Sequence, residues 1–407
     1  MKPDSPKKLR IAVVTQYFPV REQPYRGHSA YQTLRCLSRI ADVKVFAPQA
    51  SYPLGLTVRT RPWSRTDVSY RPPDVDTLYF HYPAIPVLSR PVNGWNLERR
   101  LKPLIRTHEP DIILSYWIYP DGYAALRVGK KLGVPVVVKA IGSDLNCIPN
   151  RFQLQKLQYV LKHADKVLTV SDALRRKAIA LGAEENQTTA ILNGCDISIF
   201  HPQAKHECCQ ALNLPQDRKV VLYVGRLDVL KGLVELVRAC AALSRSMASL
   251  HLVMVGEGPA KKVIEQLAAK LDFSSKLQLV PPASSSVIAK WMNACDVFAL
   301  PSYNEGCPNV VIEALRCGRP VVATRVGGIP ELVGEREGLL VEAQDEQALT
   351  QALELCLSRT WSTSEIAAAH GRSWEDVAKQ VHGICENLQQ RKRHHSPPHE
   401  LNALQAT

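Results

Sequence analysis

The chain has 407 residues, 45% of them hydrophobic and 22% charged, with a formal net charge of +13. This length exceeds one typical hydrophobic core, so we expect two domains. No apolar run approaches the roughly 20 residues that span a bilayer, and the first residues contain no signal-peptide apolar segment. The composition therefore argues against a membrane-spanning protein and predicts a globular protein of the cytoplasm.

The positive charge is concentrated in the first half of the chain. Residues 1–195 hold 29 Lys and Arg against 15 Asp and Glu, whereas the rest is close to neutral. Basic clusters fall within predicted amphipathic helices at residues 99–102, 130–131 and 175–177. Such clusters are typical of proteins that touch an anionic membrane leaflet or an acidic acceptor, although a solvated helix face explains them equally well. No nucleic-acid recognition motif accompanies them, so we expect no nucleic-acid partner.

The eleven cysteines predict reduced core thiols. None forms a C-x-x-C pair, and most are scattered singly through predicted strands and helices. The run His206-Glu207-Cys208-Cys209 has ligand-type residues, but no second cluster follows at zinc spacing. We therefore expect no metal site.

Strands and helices alternate along both halves, which predicts two doubly wound parallel sheets. In the first half we expect strands at residues 10–15, 43–47, 111–115, 136–139 and 166–170, with helices at 29–39, at 122–132 and from 172. In the second half we expect strands at residues 219–225, 250–255, 277–280 and 297–300, with helices at 233–243, 260–270 and 286–294. The fold class is therefore α/β.

Domain boundaries follow from this alternation. We expect an N-terminal Rossmann-like acceptor-side domain at residues 1–192, a linker at 193–214 and a C-terminal Rossmann-like domain at 215–365. A C-terminal helix at 366–388 and a disordered tail at 389–407 complete the chain. Residues 49–110 are rich in Pro and Arg and weakly periodic, so we expect an irregular insertion there. Neither half contains a complete G-x-G-x-x-G dinucleotide fingerprint.

The segment 302–320 predicts an active-site loop. An apolar strand precedes it, Pro308 suits the first position of a helix, and Glu305 and Glu313 lie eight residues apart around the helix start. Carboxylates bind sugar hydroxyls through charge-assisted hydrogen bonds. Backbone N–H groups at a helix start suit a phosphate or a hydroxyl. Here the segment runs from Gly306 through Cys307, Pro308 and Asn309 to Val310, and every residue except Pro308 has such a group. An isolated pair of this kind is also common as surface charge.

Two cations flank the turn after the first strand of the second half. Arg226 and Lys231 follow that strand, at the sheet edge where open α/β folds bind ligands. A guanidinium and an ammonium there can neutralise a diphosphate, although any surface turn can carry the same residues.

The motifs resemble glycosyltransferase family 4, a family of retaining nucleotide-sugar transferases with the GT-B architecture. The matching pieces include Gly225-Arg226-Leu227, Asn193-Gly194-Cys195-Asp196 and the block from Ala294 to Glu331. In the first half, Tyr119-Pro120-Asp121-Gly122 and Gly142-Ser143-Asp144 look like the branch that makes teichuronic acid and other exopolysaccharides. The resemblance implies two Rossmann-like domains facing a cleft.

The resemblance also implies roles for the residues. Arg226 and Lys231 would clamp the donor diphosphate without a metal or cofactor, Glu305 would hold the donor sugar, and Glu313 the ribose. Donor contacts would further include Gly27, Gly225 and the five residues from Gly306 to Val310. The expected activity transfers a hexose from a nucleotide sugar, expected to be a UDP-sugar, to a lipid-linked or growing polysaccharide. The basic N-terminal domain would touch the inner leaflet.

Two positions depart from the family pattern. Many relatives have a glycine pair where this chain has Arg26-Gly27-His28, and many have an active-site histidine near the position of Ile141. Asp144 is our substitute for that histidine, with helix capping as its alternative role. Two other functions remain open: a sugar-nucleotide epimerase or hydrolase of the same fold, and a non-catalytic nucleotide-sugar-binding protein.

Overall fold

The structure, a computed structural model, describes residues 8–51, 67–84, 92–148 and 150–395. The chain divides into two compact units. The first contains the residues up to Leu192 together with those from Trp374 onward, and the second is Asn193–Ser373.

The described part of the first unit contains a seven-stranded sheet in the order β3-β2-β1-β4-β5-β6-β7. All neighbouring strands are parallel. The strands are β1 (Arg10–Val14), β2 (Asp42–Ser51), β3 (Asp76–Pro83), β4 (Ile112–Tyr116), β5 (Val136–Ala140), β6 (Lys166–Thr169) and β7 (Thr188–Ala190). The central strands β4 and β5 are buried along their whole length, as expected for parallel strands covered by helices on both faces.

Helices connect these strands. They are α1 (His28–Ile40), α2 (Asn93–His108), α3 (Tyr123–Leu132), α4 (Ser143–Asn146), α5 (Arg151–His163), α6 (Asp172–Ala180) and, from the end of the chain, α14 (Trp374–His395). Helices α2, α3 and α5 pack side by side, whereas α14 packs on α1. Trp374, Val377, Val381 and Cys385 face the core of this unit at helical spacing.

The second unit contains a six-stranded parallel sheet in the order β10-β9-β8-β11-β12-β13. Its strands are β8 (Lys219–Val224), β9 (Leu250–Val255), β10 (Leu277–Val280), β11 (Val297–Leu300), β12 (Val321–Thr324) and β13 (Gly338–Val341). Its helices are α7 (Lys205–Ala211), α8 (Leu233–Leu243), α9 (Lys261–Lys270), α10 (Ser285–Ala294), α11 (Asn309–Arg316), α12 (Glu346–Ser358) and α13 (Thr363–Ala369). Both units are therefore doubly wound, and the α/β prediction is confirmed.

The segment 49–110 is more regular than expected. It contains the end of β2, the edge strand β3 and the 16-residue helix α2. Its proline and arginine content concealed these elements. Pro103 lies inside α2, but on its exposed side, where a missing N–H and a kink are tolerated. Residues 52–66 and 85–91 of this segment lie outside the described residues.

The structure also differs from the prediction in three segments near the domain boundaries. Residues 193–214 contain α7, which packs against α10, so they belong to the second unit instead of forming a free linker. The helix expected at 366–388 is two helices, α13 and α14. Helix α14 continues to His395, so residues 389–395 are helical where we expected a disordered tail. Residues 396–407 lie outside the described part.

All eleven cysteines are free thiols, and each except Cys147 is buried. Cys208 and Cys209 face the interior of the second unit from α7. Burial raises the pKa of both thiols, which disfavours the thiolate that a metal would require.

Candidate active site

The strand order of the second unit places two turns side by side. The chain runs from β8 outward to β10 and then returns to β11, on the other side of β8. The carboxyl ends of β8 and β11 therefore form the point where strand order reverses, which is where open α/β sheets bind ligands. Lys231 follows β8, and Glu305 follows β11.

These two side chains form an ion pair. Lys231 Nζ lies 2.6 Å from Glu305 Oε1. The Glu305 side chain is 12% exposed and that of Lys231 is 29% exposed, so the pair is shielded from water but reachable. The structure therefore brings together two of the four charged residues that the sequence singled out in this unit.

The turn after β8 fits closely against the turn after β11. Gly232 caps α8 with a φ of 66°, and a Cβ there would collide with the carbonyl oxygen of Pro301. Tyr303 donates its N–H to the Leu230 carbonyl at 3.0 Å. Only a residue without a side chain allows this approach, which fixes Lys231 beside the loop that carries Glu305.

The loop before α11 is held by Asn193. Its amide Nδ2 donates to Asn309 Oδ1 at 2.8 Å and to the Cys307 carbonyl at 3.2 Å. Asn193 is 5% exposed, so this anchor is shielded from water. Helix α11 begins at Asn309 and Pro308 is its cap, one residue before the position the sequence suggested. Gly306 and Val310 are partly exposed on either side of them.

Glu313 lies within α11 and is half-buried. Burial raises its pKa to about 7. At neutral pH this carboxyl is therefore present in both protonation states, and it can either accept or donate a hydrogen bond.

Arg226 differs from Lys231 in its surroundings. Its side chain is 70% exposed, and its Nε lies 3.5 Å from Asp228 Oδ2. Its carbonyl accepts a hydrogen bond from the Tyr223 hydroxyl at 2.8 Å, so the backbone next to Gly225 is fixed while the guanidinium extends into solvent. The structure does not bring Arg226 into the Lys231–Glu305 pair.

The first unit has an equivalent reversal of strand order between β1 and β4. Gly27 caps α1 there with a φ of 65°, and a Cβ would collide with the carbonyl of Tyr17. The Asp121 carboxylate, after β4, accepts the Gln16 N–H at 2.7 Å. Burial raises the pKa of Asp121 to about 7, opposed by the Gln16 N–H and by the nearby Arg26 guanidinium.

The sequence analysis used Asp121 only as part of a motif. A carboxylate five residues after the buried strand β4 was the signal that could have drawn attention to it. Arg26 reinforces this arrangement, since it donates from Nη2 to the Gln16 carbonyl at 2.7 Å.

Asp144 lines a pocket of about 180 Å³ in the first unit, together with Trp117, Tyr119 and Gln153. Its Oδ1 accepts the N–H groups of Gly142 at 2.9 Å and of Ile141 at 3.2 Å. It is 7% exposed, and its Oδ2 makes no hydrogen bond. Burial raises its pKa to about 6. Asp144 therefore fixes its own turn, as the capping alternative proposed, and forms part of the pocket wall with its Oδ2 shielded from solvent.

The described residues include no group of three or more His, Cys, Asp or Glu side chains arranged to hold a metal ion. In the same part of the chain, no helix combines the length and apolar character needed to cross a bilayer.

Two family models match the chain. The model described as Glycosyltransferase Family 4 matches residues 27–199, and that described as Glycosyl transferases group 1 matches residues 205–374. The chain is 31% identical over 366 residues to a Bacillus subtilis (strain 168) protein named as the teichuronic acid biosynthesis glycosyltransferase TuaC, covering 85% of this chain and 88% of the relative. It is 33% identical over 248 residues to D-inositol 3-phosphate glycosyltransferase of Corynebacterium urealyticum, covering 57% and 58% of the two chains.

Solved structures show the same fold at low sequence identity. Sucrose-phosphate synthase from Thermosynechococcus elongatus superposes with a TM-score of 0.77 at 22% identity, covering 94% of this chain and 100% of that chain. Anabaena HepE in complex with UDP-glucose superposes with a TM-score of 0.65 at 18% identity, covering 95% and 98%. With two doubly wound units and these relatives, the chain belongs to glycosyltransferase family 4, has the GT-B fold and is a glycosyltransferase.

Proposed function

We propose that this glycosyltransferase transfers a sugar from a UDP-sugar to a lipid-linked or growing polysaccharide, with retention of configuration at the transferred carbon. The observation that carries the donor part is the Lys231–Glu305 ion pair at the strand-order reversal of the second unit. An ammonium and a carboxylate in contact can separate to serve two parts of one ligand, the anionic diphosphate and the hydroxyl-bearing sugar.

In this proposal Lys231 turns from Glu305 to the diphosphate when the donor binds. Arg226 joins it, because its exposed guanidinium is free of tight packing and has a planar fork that matches phosphate oxygens. Together the two cations would stabilise negative charge on the departing nucleotide. They supply positive charge from side chains, and we propose that transfer needs no metal or other cofactor.

Glu305, released from Lys231, would accept hydrogen bonds from hydroxyls of the donor sugar. Gly306, Cys307 and the start of α11 would lie beside the same sugar, with Asn193 holding this loop in position. Glu313 would hold the ribose, and at pH values near 7 it can do so in either protonation state.

The first unit would supply the acceptor side. We propose that the pocket walled by Trp117, Tyr119 and Asp144 receives the acceptor, with an acceptor hydroxyl beside the Asp144 carboxyl. Aromatic faces suit the apolar faces of a sugar ring, and a carboxylate suits its hydroxyl edge. In the same proposal Gly27 lets backbone approach the donor phosphate. Retention would follow if the leaving phosphate oxygen assists deprotonation of the acceptor on the same face.

The choice of uridine and of a polysaccharide product is supported by relatives. HepE structures contain UDP and UDP-glucose, and the Bacillus subtilis relative is named for teichuronic acid biosynthesis. A basic first half, which suits an anionic leaflet, supports an acceptor held at a membrane.

Donor consumption measured with and without membrane extract tests this function. We expect UDP release from a UDP-sugar only when extract supplies an acceptor, and loss of that release in Glu305→Ala with an unchanged thermal midpoint. Equal UDP release without acceptor would indicate a hydrolase instead. Binding without any consumption would indicate a nucleotide-sugar-binding protein. Full activity in Glu305→Ala would refute the site assignment.

A further inference from the structure

Helix α2 presents a basic face that carries an exposed tryptophan. Trp95, Arg99 and Arg106 recur along its exposed side at intervals of four and seven residues, and Arg100 lies beside them. Residues at these intervals share one side of a helix. Among the described residues, none of these three arginines forms an ion pair. We call these four residues the α2 face.

The single carboxylate within α2 is turned away from this face. Glu98 is 4% exposed. It pairs with Arg127 of α3 and lies 2.6 Å from Lys131 Nζ of the same helix. Glu98 therefore offsets part of the positive charge of α3, and the charge of the α2 face is uncompensated within its own helix.

Aromatic rings gather around a lysine at one end of the α2 face. Lys156 Nζ of α5 lies 4.5 Å from the ring centre of Trp95, 5.0 Å from that of Tyr123 and 5.2 Å from that of Phe152. Trp95 itself is 37% exposed. Tryptophan, tyrosine and lysine together are typical of the water–lipid interface, where amphipathic rings lie at the depth of the headgroups.

The same aromatic cluster reaches the Asp144 pocket. Tyr123 contacts Tyr119, with ring centres 5.9 Å apart, and Tyr119 lines the pocket. The Gly94 N–H at the start of α2 donates to the Tyr119 hydroxyl at 3.4 Å. Packed rings therefore link the α2 face to the wall of the pocket, with Tyr123 buried between them.

We propose that the α2 face is the docking surface for an anionic lipid bilayer, and that docking there brings a lipid-linked acceptor near the Asp144 pocket. Arginines on one side of the helix suit a negative leaflet, and Trp95 enters the headgroup region. The delivery step rests on the proposed function, whereas docking itself does not. A polynucleotide could also attract arginines, but the ring cluster at the mouth of a pocket favours the bilayer.

Co-flotation of the full-length protein with vesicles tests this surface. Vesicles of phosphatidylglycerol and phosphatidylcholine are compared with phosphatidylcholine alone, without donor present. The test variant is Arg99→Glu/Arg100→Glu. Its matched control is Lys261→Glu/Lys262→Glu, which makes the same change in charge at two adjacent exposed residues of α9 in the second unit.

We expect the protein to bind anionic vesicles and not neutral ones. Each basic residue near an anionic surface contributes about fivefold to partitioning, so the test variant should lose at least about 30-fold. The control should bind like the unaltered protein. Trp95→Ala should also weaken binding, by the same factor at low salt as at high salt, because its contribution is apolar.

Three results would overturn the proposal: no binding to anionic vesicles, equal losses in the test and control variants, or arginine-dependent binding to a polynucleotide without vesicle binding. Thermal midpoints show whether each variant is folded, and Trp95→Phe retains a ring if Trp95→Ala unfolds. Donor consumption with detergent-solubilised acceptor keeps the two proposals separate. Consumption without vesicle binding removes only the docking surface, whereas vesicle binding without consumption removes the proposed transfer from a UDP-sugar.

Discussion

Replacing Glu305 by Gln should tighten the binding of UDP while it slows sugar transfer. In the structure the Glu305 carboxylate holds Lys231 at 2.6 Å. A diphosphate must therefore compete with Glu305 for the ammonium. It is also repelled by the negative charge of the Glu305 carboxylate. Glutamine keeps the size of the side chain and removes both of these obstacles.

The expected gain in UDP affinity follows from how exposed the Lys231–Glu305 pair is. Unit charges about 4 Å apart interact by roughly 4 kcal/mol at an effective dielectric constant of about 20. Because Lys231 is 29% exposed, water and salt reduce the net worth of the pair to about 1 kcal/mol. The dissociation constant of UDP should therefore fall about fivefold in Glu305→Gln. Transfer should fall on the order of 100-fold, since a neutral amide replaces the charged acceptor of the sugar hydroxyls.

Isothermal titration with UDP, together with UDP release from a UDP-sugar, measures the two effects on the same preparations. Lys231→Ala is the opposing control, because it removes the cation itself and should weaken UDP binding. Weaker UDP binding in Glu305→Gln would refute the reasoning, since it would mean that Glu305 assists the diphosphate instead of competing for Lys231.

Three further predictions concern the stability of the fold and the loop before α11. Burial raises the pKa of Asp121 to about 7 from 3.8, so the folded state binds the extra proton and the unfolding free energy should decrease by about 3 kcal/mol between pH 4 and pH 7. Asp121→Asn should flatten this slope in denaturant titrations at several pH values. Gly232→Ala should destabilise the protein by about 3 kcal/mol because the added Cβ would collide with Pro301. Its control is Gly133→Ala, at a position with a similar φ and open space around it, which should cost about 1 kcal/mol in the same denaturation assay. Asn193→Ala should weaken UDP-sugar binding by roughly tenfold by releasing the loop before α11, and an unchanged titration curve would contradict that role.

The strand and helix alternation was readable because apolar runs in buried parallel strands are short and bounded. The strand β8 and the helix α8 lie where the pattern placed them. The segment around β3 and α2 was not readable, because an edge strand with mixed exposure and a helix containing Pro103 both weaken the periodic signal. Helix α7 was concealed by its seven-residue length.

The charged residues of the site were identified from their positions after strands, but their pairing was not. No sequence pattern states that Lys231 and Glu305, 74 residues apart, lie in contact; that follows from the order in which β8 and β11 are placed in the sheet. The hydrogen bonds of Asp121 and Asn193 were missed for the same reason, because their partners are distant in the chain.

A crystal structure with an intact UDP-sugar tests the central proposal most directly. The proposal predicts that Lys231 Nζ leaves Glu305 and lies about 3 Å from a diphosphate oxygen, while Glu305 accepts a hydrogen bond from a hydroxyl of the sugar. A bound donor located elsewhere on the protein, with the Lys231–Glu305 pair intact, would contradict it.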